Sequence, residues 1–91
     1  MKTFEDLNFD EHKTYGAGKH AVITFDNEYG ASVVCTPYSY GGKSGLYELG
    51  ILGKDGKLTY NTPVADDVLG YLTEQDVTNV MKQIQDLKQW K

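Results

Sequence analysis

Ninety-one residues carrying seven Tyr, three Phe and one Trp describe one small folded domain, because a disordered chain of this length has few aromatics. The net charge is −4 and all nine bases are Lys, so no Arg exists to grip phosphates or guanine edges, which counts against a nucleic-acid reader. No apolar run approaches the roughly 18 residues of a membrane span, the stretch from Met1 to Asp6 lacks the apolar core of a signal peptide, and the lone Cys35 forms no internal disulfide, so the expected setting is the cytoplasm.

In chain order, residues 1–18 read as a loose N-terminal arm. Phe4, Leu7 and Phe9 are its docking residues, and Tyr15-Gly16-Ala17-Gly18 follows as a glycine-punctuated stretch. Residues 19–61 read as the sheet. In the run His20–Asp26, Ala21, Ile23 and Phe25 share one face, while Val22 and Thr24 take the other. Asn27-Glu28-Tyr29-Gly30 signals a turn, with Gly30 suited to a positive φ. A second strand over Ala31–Thr36 ends at Pro37, which cannot donate to a ladder. The loop Tyr38-Ser39-Tyr40-Gly41-Gly42-Lys43-Ser44-Gly45 reads as a flexible connection. A third strand spans Leu46–Leu52, the Asp55-Gly56 turn suits a hairpin, and a short fourth strand spans Leu58–Asn61.

Residues 62–72 read as a connector with room for one helical turn. From Thr73 the period changes to that of a helix running over 73–90. Thr73 and Asp76 form the acidic variant of a capping box, and Glu74 and Asp76 suit the positive end of the helix dipole. Val77, Val80, Met81, Ile84, Leu87 and Trp90 fall on one stripe. A small sheet is marginal until something covers one face, and this helix is the available cover. The expected fold is therefore α+β: an antiparallel three- to four-stranded meander with a C-terminal amphipathic helix packed on one face.

The chemistry-bearing motifs are weak. Gly41-Gly42-Lys43-Ser44 lacks the first glycine of a phosphate loop, since Pro37 holds its place, and a strand rather than a helix follows it. Cys35 has only His12 and His20 as candidate bases, and the spacing of these three offers no metal site. Asp66-Asp67 could be paired carboxylates, but adjacent side chains diverge and no oxygen-rich calcium loop surrounds them. No catalytic residue, metal or cofactor is assigned, and the chain is expected not to be an enzyme. The tyrosines stand out more. Tyr29, Tyr38, Tyr40, Tyr47, Tyr60 and Tyr71 lie at strand ends or in flanking loops. Such rings either fill core edges with the hydroxyl in water or form a contact patch.

The runs Tyr29-Gly30-Ala31-Ser32-Val33-Val34, Tyr38-Ser39-Tyr40-Gly41-Gly42 with Gly45-Leu46-Tyr47-Glu48-Leu49, and Thr62-Pro63-Val64 with Asp67-Val68-Leu69-Gly70-Tyr71-Leu72-Thr73 resemble a group of small proteins encoded by bacteriophages and prophages. The likeness spans roughly residues 4–87 and carries no catalytic motif. It implies the cytoplasm of a bacterial host during infection and an accessory role. The expected function is then a binding protein that docks on a host or phage protein, with inhibition of that protein as one outcome. The alternative is a small-molecule or nucleotide-like ligand binder using the Tyr/Gly-rich loop. The expected contact residues are Tyr38, Tyr40, Gly41, Gly42, Asp66, Asp67 and Tyr71. An uncovered face built from Val22, Thr24, Val34 and Thr36, with two sheet edges, also invites a homodimer.

Overall fold

The computed structural model describes residues 1–11 and 18–88. Tyr15-Gly16-Ala17, His12 and Trp90 lie outside the described residues. Five strands form one antiparallel sheet in sequential order: β1 (Asp10–Glu11), β2 (Lys19–Thr24), β3 (Gly30–Cys35), β4 (Tyr47–Leu52) and β5 (Leu69–Leu72). One helix, α1 (Glu74–Gln85), follows. The meander and its helix are those the residue pattern dictates, with more strands than expected.

Register fixes the two faces. Ala21 pairs with Val33 and Val33 with Leu49; Ile23 pairs with Ala31 and Ala31 with Ile51. Residues in register on neighbouring strands share a face, and the next residue along faces the other way. The inner set meets Val77, Val80, Met81 and Ile84 of α1, and together with Leu7 and Phe25 they form the core. The Thr73 hydroxyl accepts the Asp76 N–H at 3.1 Å, while the Asp76 carboxylate accepts the Thr73 N–H at 3.0 Å. The capping box thus starts α1 where the sequence places it.

Several boundaries depart from the sequence reading, each for a physical reason. Leu58–Asn61 is no strand: after the Gly53–Lys57 turn it makes one bridge, Leu52 to Leu58, and leaves the sheet. The Leu58 side chain turns onto Gly50. Leu58 lies on it so closely that any Cβ there would collide with the Leu58 side chain. The last strand is instead β5, inside the expected connector. A bulge sets Gly70 and Tyr71 between the pairs Leu49–Leu69 and Tyr47–Leu72, so both leucines face the core despite their spacing.

In the β2–β3 turn the positive φ belongs to Glu28 (73°), not to Gly30, which has become a β3 residue pressed against the Ile23 carbonyl. Asn27 of this turn donates from Nδ2 to the carbonyls of Ile84 (2.8 Å) and Leu87 (3.1 Å). The helix therefore ends at Gln85, with Asp86 as its cap, short of the expected 90.

Residues 1–11 of the arm are tied down along their length. The Lys2 N–H donates to Gln85 Oε1 and Gln85 Nε2 donates back to the Lys2 carbonyl; the Phe4 N–H donates to Thr78 Oγ1. Leu7 is buried. Phe4, Phe9 and Tyr47 stack with centroids 5.1–5.7 Å apart. The Lys19 ammonium rests 5.0 Å from the Phe9 ring centroid and 5.2 Å from that of Tyr47.

Candidate functional site

The strand end at Cys35 sets up the loop that follows. Thr36 is not an outward strand residue. It is buried, its Oγ1 accepts the N–H groups of Tyr38 and Ser39, and its own N–H donates to Ser39 Oγ at 2.8 Å. The Ser39 hydroxyl donates to the Thr36 carbonyl. Gly42 then passes so close to that carbonyl that no side chain fits. Gly41 (φ 86°) and Gly45 (φ 75°) bracket a single 3-10 turn over Gly42–Ser44. The expected flexible connection is thus a bonded frame whose turns and close approaches require Gly41 and Gly42.

That frame is locked onto the bulged edge strand. The Tyr40 side chain lies against Gly70, its carbonyl accepts the Tyr71 N–H at 3.2 Å, and its own N–H donates to Glu48 Oε1 at 3.0 Å. Gly41 packs on the Tyr71 backbone, and Tyr71 holds a positive φ of 58°. An aromatic residue in the left-handed region costs energy and persists only when neighbours over-determine it. The result is three rings presented to solvent from a bonded backbone: Tyr38 is 75 % exposed, Tyr71 66 % and Tyr40 58 %. Of the other tyrosines, Tyr47 is core, Tyr29 is half-buried and Tyr60 is exposed on the segment after the turn.

Asp66 and Asp67 do not join this group. Leu72 pairs with Tyr47, which follows the glycine loop, whereas Leu69 pairs with Leu49 further along β4. The two acids precede Leu69 and so enter from the opposite end of β5. Both are exposed, and Asp67 Oδ1 accepts the Val68 N–H next to it, a local turn contact.

Parity separates the remaining chemistry. Lys19 pairs with Cys35 and His20 with Val34, so His20 and Cys35 face opposite sides of the sheet. His20 Nε2 is instead 3.0 Å from Ser32 Oγ. Beside the loop, Gly18, Cys35, Thr36, Pro37, Gly42 and Lys43 line a shallow cleft of about 330 Å³. It opens broadly to solvent, and no tyrosine is among these lining residues. Among the described residues, no three His, Cys, Asp or Glu side chains gather as metal ligands, and no helix is long and apolar enough to cross a membrane.

Residue-by-residue reading did not single out Glu48, which accepts the Tyr40 N–H, nor the register that sets Asp10, His20, Val34 and Glu48 in one row. Asp10, His20 and Glu48 face the same side as Val22 and Val34, opposite α1. The alternation around Val34 was the signal that could have found Glu48. Set against known proteins, the chain matches no protein-family model, no curated protein and no solved structure.

Proposed function

We propose that this chain is a non-enzymatic binding protein, a phage-type accessory factor that docks on a host or phage protein in the bacterial cytoplasm. The observation that carries the reading is the bonded tyrosine end: Tyr38, Tyr40 and Tyr71 held outward by the Thr36–Ser39 turn, by Gly41 and by the bulge of β5. Tyrosine gives large contact area with few rotatable bonds, and a frame fixed in advance lowers the ordering cost of association. The opposite-face placement of His20 and Cys35 further supports binding over thiol catalysis. At the sheet edge that carries Tyr71, β5 is four residues long and bulged, a poor template for strand addition, which favours a side-chain contact there.

The test is capture of partners from infected bacterial lysate by the wild-type chain and by the Tyr40→Ala/Tyr71→Ala variant, after circular dichroism shows both folded. A partner should be held by the wild type, and the variant should bind it more weakly by about 1–3 kcal/mol per anchor ring. Equal capture by both removes the tyrosine end as the contact site.

A further inference from the structure

The face opposite α1 is ordered in rows. Across the end nearest Tyr40, the residues in register are Asp10, His20, Val34 and Glu48. Strands stand about 4.8 Å apart, so the two carboxylate-bearing positions bracket a histidine and a valine across roughly 14 Å. Glu48 is held by its bond from the Tyr40 N–H, which ties its carboxylate to the backbone of the glycine loop. The next row, Val22, Ser32 and Gly50, carries no charge, and Leu58 and Val68 close over Gly50 as a wall. Lys19, the base nearest in sequence, points to the other face, where it covers Phe9 and Tyr47.

We propose that this row docks a basic segment of the partner, with Lys or Arg side chains against Asp10 and Glu48 and an apolar side chain between them on Val34. The inference rests on the binding reading above and adds the partner's chemistry. Two features argue for a basic occupant: acids at both ends of the row and no Lys within it. A second copy is the poorer occupant. A two-fold axis that lays the row on itself sets acid against acid, in a chain already at −4.

An extended pentapeptide offers a probe of matching length, because side chains four residues apart lie about 13–14 Å apart on one face. The full chain, labelled with 15N, is titrated at low salt with acetyl-Lys-Thr-Val-Thr-Lys-amide and, separately, with acetyl-Glu-Thr-Val-Thr-Glu-amide. The lysine peptide should shift the amides of His20, Val22, Ser32, Val34 and Glu48, and the glutamate peptide should not. Asp10→Asn with Glu48→Gln, which keeps an acceptor for the Tyr40 N–H, should weaken that binding by roughly tenfold. Several results would overturn the proposal. They are no shifts at millimolar lysine peptide, shifts as large around Asp66 and Asp67, unchanged affinity in the double variant, or row shifts that depend on protein concentration without peptide, which would mark a second copy. If the captured partner is lost by Tyr40→Ala/Tyr71→Ala yet kept by Asp10→Asn/Glu48→Gln, the binding reading stands and this one falls.

Discussion

The two faces of the sheet come from the same strands and have opposite fates. On the inner face Ala21, Ala31, Val33, Leu49 and Ile51 lose nearly all contact with water beneath α1. On the outer face Val22 remains 55 % exposed, although it is as β-branched and apolar as Val33, which pairs with the adjacent Ala21. Burial therefore follows parity and cover, not residue type. The inner face holds the fold together. The outer face, with its acids in one row and Tyr40 at its rim, is left with chemistry to offer a partner.

The sharpest way to break this comparison is one substitution on each side. Ile84 is fully buried between α1 and the sheet, so Ile84→Ala should cost about 2–4 kcal/mol. That is a large share of the roughly 5–13 kcal/mol expected for a chain this long. Val22→Thr keeps a β-branched side chain on the exposed face and should stay within about 0.5 kcal/mol of wild type. Urea denaturation of both variants decides it: comparable losses would mean that the outer face carries fold stability after all.

Both ends of α1 sharpen the inner side. Asn27→Ala removes two bonds to helix-terminal carbonyls and the support its Oδ1 gives the Tyr29 N–H, and should cost about 1–2 kcal/mol. Thr73→Ala loses the box at the start and should cost about 1 kcal/mol. Each kcal/mol corresponds to about 4–8 °C in melting temperature at this size, so thermal unfolding resolves the order. A Thr73 effect larger than that of Asn27 would mean the C-terminal bonds add little.

These two ends also show what the residue pattern could reveal. The start of α1 was legible because its signals, Thr73 and Asp76, lie three residues apart and act on each other. Its end was not, because the group that terminates it sits 57 residues away in a β-turn. The β2–β3 hairpin was legible from alternation. β5 was not, because a glycine, a left-handed Tyr71 and a bulge erase the period-two signal. Leu58 reads as a strand residue until Gly50 is seen beneath it. For the site, Tyr38, Tyr40 and Tyr71 stood out by type, and their convergence followed from sequential strand order. Asp66 and Asp67 group with them only if the connector and the Tyr38–Gly45 loop flank a third and a fourth strand at one end of the sheet; with β5 formed from the connector itself, the acids enter at its other end.

The smallest expected effect lies where the inner face meets water, at Lys19. A hydrogen bond with the Tyr47 hydroxyl raises the Lys19 pKa above its ordinary 10.5, against a desolvation that lowers it. The ammonium also sits over the Phe9 and Tyr47 rings, an arrangement worth about 0.5–1 kcal/mol at exposed sites. A base whose pKa is higher folded than unfolded stabilises the fold fully below the unfolded value, and that contribution fades as pH rises through the folded one. Wild type should thus exceed Lys19→Gln in stability by a constant margin from neutral pH to about pH 9.5, and the margin should shrink above about pH 10.5. Tyr47→Phe is the companion variant, since the Tyr47 hydroxyl is the largest cause of the raised Lys19 pKa. It keeps the ring under the ammonium but removes the hydroxyl, so the alkaline loss in Lys19→Gln and in Tyr47→Phe should be equally shallow. A margin for Lys19 that persists undiminished past pH 11.5 would show that its methylene stem, packed on the rings, and not its charge, makes the contact.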